Sequence, residues 1–350
     1  MRSALLTATQ LSLALLPPVS GSPFFAQEAP SPGGPPPASD APAQPVNDSD
    51  ALTLNVNVNL VNLYFSARDK DGFITNLRKD ECALTEDKVP QTLKNFTQEK
   101  NLPLTIGILL DTSGSQMNVL PLEKESGATF LRDVLTPKDE AFLISFDINV
   151  DLLSDYTNSP RELKRAIDKA TINTGAGTGS VTGHGEPRGT LLYDAVYLAA
   201  HDKLSSQAGR KVLILLTDGG DQGSQETLAT ATEAAQRSNA ILYVILLSAH
   251  PFADNFADTT NPKSAMDHLA RSTGGRVIDV GNSGPKLESA FTQIQDELRT
   301  QYRLTYTPTT PADNKFHPQE ITCGPHHTVD TRKGYYALPT DPDATSTPDN

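Results

Sequence analysis

The sequence predicts an α/β fold: a doubly wound, mostly parallel sheet with helices on both faces, flanked by a small β-rich, sandwich-like region from both chain flanks. Continuous apolar runs at 104–110, 211–216 and 241–247 are typical of parallel strands covered on both faces. Helical patterns alternate with these runs, which indicates strand–helix–strand units. Shorter strand-like segments precede and follow the alternating region.

The composition is that of an acidic globular protein. Of the 350 residues, 37% are hydrophobic and 20% are charged, and the formal net charge is −13 with a pI near 4.9. Nucleic acids and anionic membranes attract a basic face, because counterion release rewards cationic proteins. The charge therefore argues against both partners and favours cations as small ligands.

The amino-terminal segment reads as an export signal followed by a spacer. Arg2 supplies a short positive region, residues 4–16 are mostly apolar, and small residues follow, so 1–26 is predicted to be a signal peptide. Residues 27–50 are rich in Pro, Ala and Ser and are predicted to be a disordered linker. No later run of about 18 apolar residues suggests a membrane span. The expected location is periplasmic or extracellular.

The first β-rich flank is predicted over 51–100. Residues 52–65 alternate apolar side chains with asparagines, which is the period of a strand with one buried face. A turn is expected at Asp69–Gly72, and short strand-like pieces continue over 73–98.

The central α/β domain is predicted over 101–300. Further strands are expected at 140–146 and 276–280, and a short strand at 149–154 should form a hairpin with the strand before it. The predicted helices cover 119–134, 160–171, 190–206, 225–238, 263–272 and 285–300.

The second β-rich flank is predicted over 301–338, with strands at 301–307, 318–323 and 327–337, and 339–350 is expected to be a disordered tail. Because strand-like segments lie on both sides of the α/β unit, the simplest packing is one small sandwich built from both flanks, with the central domain inserted.

The two cysteines, Cys82 and Cys323, lie far apart in the sequence. An oxidising compartment would allow them to pair. Sequence alone cannot bring their Cα atoms within disulfide distance, so it favours two free thiols and leaves the disulfide as the alternative.

The motif Asp111-Thr112-Ser113-Gly114-Ser115 directly follows the strand at 104–110. It should therefore lie at the carboxyl end of the sheet, where open α/β folds bind ligands. Side chains at 111, 113 and 115 can converge if the loop curves around one point. Their oxygens suit Mg²⁺, Mn²⁺ or Ca²⁺, and the absence of nearby His or Cys in the sequence argues against zinc.

Two further oxygen ligands are predicted from other loops. Thr190 opens a helical segment, and Asp218 stands at the end of the run Leu213–Thr217, which continues the strand predicted at 211–216. The alternative is that Thr190 and Asp218 only cap helices or turns.

These residues resemble the metal-ion-dependent adhesion site of von Willebrand factor type A domains, whose pattern is Asp-x-Ser-x-Ser followed by a distant Thr and then an Asp. The resemblance implies that Ser113 and Ser115 bind the ion directly. It implies that Thr190, Asp111 and Asp218 act directly or through water. In this family a partner's Glu or Asp often completes the coordination.

The resemblance covers most of residues 52–338, because Lys333-Gly334-Tyr335-Tyr336-Ala337 is similar to the flank of bacterial proteins related to these domains. Gln116 departs from the pattern, since many members carry Met there, but this changes no ligand.

The sequence therefore predicts an exported, metal-dependent protein-binding or adhesion module that is not an enzyme. A structural or assembly role in the cell envelope, with a non-essential metal site, is the first alternative. An aspartic-protease-type hydrolase is the second, because Ile108–Ser115 is similar to an Asp-Thr-Gly signature. Ser113 occupies the position where that signature needs Gly, and the helical segments after Asp111 and Asp218 contradict an all-β protease.

Overall fold

The structure is a computed structural model that describes residues 60–99, 102–173, 189–247 and 262–338. The predicted signal peptide, linker and tail, and the start of the strand expected at 52–65, lie outside these residues. The first flank contains five strands: β1 (Val61–Asp69), β2 (Gly72–Phe73), β3 (Cys82–Glu86), β4 (Val89–Gln91) and β5 (Leu93–Gln98).

The central part alternates strands with helices. Its strands are β6 (Leu104–Asp111), β7 (Glu140–Phe146), β8 (Val150–Thr157), β9 (Arg210–Thr217), β10 (Ala240–Leu247) and β11 (Val277–Gly281). Its helices are α1 (Leu120–Val134), α2 (Pro160–Lys169), α3 (Leu192–Leu198), α4 (Leu228–Arg237), α5 (Pro262–Thr273) and α6 (Gly284–Thr300). A π-helix over Ala199–Leu204 continues α3, so the helix expected at 190–206 has two parts.

The second flank contains β12 (Tyr302–Tyr306), β13 (Phe316–Cys323), β14 (Thr328–Thr331) and β15 (Gly334–Tyr336). The single strand expected at 327–337 is wrong, because β14 pairs with β1 whereas β15 pairs with β13. Gly334 allows the second pairing: a Cβ atom there would lie 2.4 Å from the carbonyl oxygen of His317.

The central sheet has the strand order β11-β10-β9-β6-β7-β8, and all neighbours are parallel except the β7–β8 hairpin. This confirms the predicted fold class. β6 is buried along its whole length, with Ile106 and Ile108 in the core on one face and Leu109 in the core on the other. Gly107 permits this packing, since a Cβ atom there would lie 2.4 Å from the Phe142 ring.

The two flanks form two antiparallel sheets, and each contains strands from both ends of the described chain. One has the order β14-β1-β12-β5, with β2 beside β1, and the other has the order β15-β13-β3-β4. Leu63, Phe65, Leu84, Tyr302 and Ile321 are members of their shared buried core. The β-rich region expected from both flanks is therefore present, whereas the domain boundaries themselves stay predictions.

A buried polar contact fixes the flanking sheet against the central unit. Ser66 of β1 donates a hydrogen bond of 2.8 Å to Glu297 of α6, and the Arg276 guanidinium lies 3.2 Å from the other carboxylate oxygen. Burial raises the pKa of Glu297, and the positive charge of Arg276 opposes that shift. No helix within the described ranges is long and apolar enough to cross a membrane.

Cys82 and Cys323 form a disulfide, so the expectation of two free thiols is wrong. They lie opposite each other in the antiparallel pairing of β3 with β13, with Cα atoms 4.1 Å apart. That pairing joins segments 241 residues apart, which explains why sequence alone could not decide it.

Replacing both Cys82 and Cys323 with alanine should lower the free energy of unfolding by up to about 5 kcal/mol, because the crosslink closes a long loop in the unfolded chain. Guanidinium unfolding with and without a reductant measures the effect. Reduction should destabilise the wild type and leave the double alanine variant unchanged. Equal stability of the two oxidised proteins would contradict the prediction.

His317 links the β3–β4 turn to the segment before β13. One ring nitrogen lies 2.7 Å from an Asp87 oxygen and the other lies 3.0 Å from an Asp313 oxygen. The hydrogen bond to Asp87, followed by that to Asp313, raises the pKa of His317, although burial opposes it. The protonated ring can donate to both carboxylates at once, which the neutral ring cannot do.

The stabilisation from His317 should therefore depend on pH. Its folded-state pKa lies above the ordinary value of 6.5, so the contribution is fully present below pH 6.5 and is lost as the pH rises through the folded-state pKa. Urea unfolding across this range should show the loss in the wild type and not in His317→Gln. His201→Gln, at an exposed histidine, is the control. Identical pH profiles for wild type and His317→Gln would refute the assignment.

Candidate metal centre

Asp111 ends β6 at the point where the strand order reverses. From β6 the chain continues to β7 on one side, while β9 lies on the other side, so the switch point lies between β6 and β9. Asp218 follows β9 directly. The carboxyl ends of neighbouring parallel strands meet at one edge of a sheet, and this crevice is the usual ligand position in such folds.

Asp111 is 0% exposed, and hydrogen bonds from the loop after β6 and from the last residue of β9 orient its carboxylate. One oxygen accepts from the Ser113 backbone N–H at 3.0 Å, and the other accepts from the Thr217 hydroxyl at 2.7 Å. The Thr217 hydroxyl oxygen in turn accepts from the Gly219 N–H at 3.0 Å. The carboxylate is thus held in one orientation by the loops after β6 and β9.

The two serine hydroxyls of the motif converge. The Ser113 and Ser115 Oγ atoms lie 3.0 Å apart, because the chain turns into a short 3-10 helix at Gly114–Gln116. Ser113 is buried and Ser115 is exposed, so this side of the oxygen cluster is open to solvent. Gln116 is buried behind it and directs its amide nitrogen toward Ser115 Oγ at 3.4 Å.

Negative charge accumulates at this edge. Burial raises the pKa of Asp111 to about 7; the hydrogen bond from Ser113 opposes this shift, and the charge of Asp218 adds to it. Asp218 itself is half-buried and accepts from the Gly220 N–H at 3.1 Å. Within the described ranges no ion pair neutralises either carboxylate. A divalent cation would compensate both charges, and these hard oxygen donors fit Mg²⁺, Mn²⁺ or Ca²⁺.

Thr190 is held at the same edge through its backbone. It forms a two-way antiparallel bridge with Gln222, at 3.0 and 2.9 Å, in the loop that follows Asp218. The next residue, Leu191, donates its N–H to the Asp147 carbonyl oxygen at 2.8 Å. The structure therefore joins the Thr190 segment to the loops after β9 and β7.

Asp147 is a residue of this edge that the sequence reasoning missed. Its carboxylate accepts from the Thr112 hydroxyl at 2.8 Å, the Asn149 N–H at 3.0 Å and the Asn173 amide at 3.2 Å. It thereby ties the Asp111 loop to the β7–β8 turn. The available signal was its position, since Asp147 follows β7 as Asp218 follows β9.

Glu123 is the second residue that was missed. It lies in the first turn of α1, is 0% exposed, and neither carboxylate oxygen has a hydrogen-bond partner among the described residues. Burial raises its pKa well above the ordinary value, and the charges of Asp111 and Asp218 add to the shift. The available signal was an acidic residue on the apolar face of the helix that follows the motif, in its first turn.

A buried carboxylate without a donor is unfavourable unless it is protonated or a cation compensates it. The charges of Asp111 and Asp218 both raise the pKa of Glu123, and the charge of Asp218 also raises that of Asp111. Their arrangement gives an independent reason, besides the motif, why a cation fits this edge of the sheet.

No family model matches the chain, and no curated protein matches it. Similar solved structures include proximal thread matrix protein 1 from the mussel byssus, with 17% identity and a TM-score of 0.45 over 67% of this chain. The chain spans about half of that protein, as the match covers 50% of it.

Two bacterial structures are also similar. The vWF domain of the type V pili tip protein Mfa5 from Porphyromonas gingivalis has 14% identity and a TM-score of 0.43, covering 57% of this chain and 96% of that one. BatB from Bacteroides thetaiotaomicron has 18% identity and a TM-score of 0.42, covering 56% and 99%. Another structure of the mussel protein has a zinc-occupied MIDAS motif. Similarity at this level assigns no function to the chain.

Replacing Glu123 with Gln should separate fold stability from cation binding. Without cation, the free energy of unfolding should rise by about 1 kcal/mol, because folding no longer has to bury or protonate a carboxylate at this position. Mg²⁺ affinity should fall about tenfold, because a negative charge near the ion is lost. Urea unfolding in chelator and titration calorimetry measure the two effects.

Glu125→Gln is the matched control, since Glu125 is an exposed neighbour on the same helix. It should leave both quantities unchanged. Equal Mg²⁺ affinities for Glu123→Gln and Glu125→Gln would show that Glu123 does not influence the ion.

Proposed function

We propose that the chain is an exported, metal-dependent protein-binding module. In this proposal Asp111, Ser113, Ser115, Thr190 and Asp218 hold Mg²⁺, or alternatively Mn²⁺ or Ca²⁺, at the carboxyl end of the sheet. An acidic side chain of a protein partner completes the coordination. The observation that carries the proposal is the convergence of the Asp111 carboxylate and the Ser113 and Ser115 hydroxyls at the strand-order switch, beside Asp218.

The proposed roles follow from the surroundings of each group. The Ser113 and Ser115 hydroxyl oxygens are neutral ligands, so they bind the ion without cancelling its charge. The Asp111 carboxylate is already hydrogen-bonded through both oxygens, which suits binding through remaining lone pairs or through water. A cation whose charge is incompletely compensated attracts a carboxylate from solvent, and the open side at Ser115 gives that carboxylate access.

Binding is favoured over catalysis. Among the described contacts, the Ser113 and Ser115 hydroxyls bond to each other, Ser115 also accepts from Gln116, and neither hydroxyl bonds to a histidine that could act as its general base. The α/β fold also differs from the all-β bilobal fold that an aspartic protease would need.

Export is supported by two features. The first is the amino-terminal apolar segment of the sequence. The second is the Cys82–Cys323 disulfide, since disulfides persist in oxidising compartments. Both features support the proposed periplasmic or extracellular location.

Replacing Asp111 with alanine should weaken Mg²⁺ binding by more than about 100-fold, because even residues that only orient metal ligands change affinity by about 10–100-fold. Titration calorimetry on the folded protein measures this loss. Asp151→Ala, at an exposed aspartate of β8, is the control and should bind as the wild type does. If the folded wild type binds none of Mg²⁺, Mn²⁺ and Ca²⁺, the metal mechanism is wrong.

Partner capture decides between an adhesion module and a structural or assembly protein. Capture of a partner from the native envelope should be lost with a chelator and with the double substitution Ser113→Ala, Ser115→Ala. Unchanged capture by that double variant would favour the assembly role with a non-essential metal site.

A further inference from the structure

A groove of about 1000 Å³ lies between α1 and α2 and begins beside the candidate metal centre. Met117, two residues after Ser115, is 54% exposed at its near end. The apolar lining comes from both sides of the groove and includes Met117, Leu120, Pro121, Ala128, Pro160 and Ile172. The groove is open to solvent beside the candidate metal centre, so its apolar lining is accessible to a partner bound there.

The charged residues along the groove give it a net positive charge, opposite in sign to that of the whole chain. Four basic and two acidic side chains line it, whereas the chain has a net charge of −13. The basic ones are Lys124, Arg132, Arg161 and Lys164, and the acidic ones are Glu125 and Asp168. A local excess of positive charge on an acidic protein attracts anionic segments to this groove.

Contacts within the protein hold α1 and α2 together along the groove and leave the Arg161 guanidinium available to a ligand. Lys124 donates to the carbonyl oxygens of Asp168 and Ala170, at 2.8 and 2.9 Å, and so connects α1 to the end of α2. Lys164 pairs with Asp168 at 2.8 Å. The Arg161 side chain is exposed and forms no ion pair with any residue in the described ranges.

We propose that this groove binds an acidic peptide segment of the protein partner. The inference rests on the proposed function, in which one carboxylate of the partner reaches the ion. Neighbouring residues of the same segment lie along the groove, with apolar side chains against Met117 and Pro121 and acidic side chains near Arg161 and Lys164. The ion binds one carboxylate, and the groove selects partners by the sequence around it.

A fluorescent hexapeptide of alternating glutamate and leucine is the probe, and its glutamine–leucine counterpart is the neutral comparison. Anisotropy should show that the acidic peptide binds the full chain with Mg²⁺ and that the neutral peptide binds much more weakly. The double substitution Arg161→Glu, Lys164→Glu should weaken acidic-peptide binding about tenfold, because four units of charge change at the groove.

The matched control is Arg165→Glu, Lys169→Glu, which makes the same charge change on exposed positions of α2 outside the groove. It should alter binding less than about twofold. Equal weakening by both double variants, weakening by neither, or no binding of the acidic peptide to the wild type would each overturn the proposal. Sedimentation that shows self-association lost only in the groove variant would overturn it as well, by identifying a second copy as the occupant.

The metal proposal can fail separately. Peptide binding that survives chelation and Asp111→Ala, but is lost in the groove variant, supports the groove and contradicts the metal mechanism. Intact Mg²⁺ binding with no effect of the groove variant overturns the groove alone.

Discussion

The Asp111 carboxylate has no exposed surface and lies at the end of β6, a strand in which every residue is buried. A charge in that position must be compensated by donors, by protons or by a cation. Ser113 and Thr217 supply the donors, which couples the loop after β6 to the end of β9. Asp218 and Glu123 belong to the same group of carboxyls, and a cation bound at this edge of the sheet would favour their ionised forms.

The loops around Asp111 keep their positions because each is bonded to another strand end. Asp147 joins the motif to the β7–β8 turn, and the Thr190–Gln222 bridge joins the start of α3 to the loop after β9. Binding geometry built on strand ends is better defined than geometry on free loops, since the strands themselves are fixed in the sheet. The candidate centre therefore depends on the order of the sheet as much as on its own five residues.

The flanking sheets add a second constraint. Strands from both flanks pair with each other, and the Cys82–Cys323 disulfide crosslinks them across 241 residues. The inserted α/β unit therefore has both of its chain connections held by one β-rich region. Ser66 and Arg276 meet Glu297 between these parts, so their contact is polar as well as apolar. Such a connection restricts the orientation of the α/β unit and of its metal edge.

The sequence by itself determined the fold class and the central motif, because both are local. Continuous apolar runs such as 104–110 identify buried parallel strands, and the spacing of Asp111, Ser113 and Ser115 is visible within five residues. The tertiary structure decided what depends on distant segments. Cys82 meets Cys323 only through the β3–β13 register, and Glu123 differs from an ordinary helix glutamate only because packing removes it from water beside two other carboxylates. Sequence periodicity reports which side of an element is buried, whereas the partner on that side is fixed by contacts across the chain.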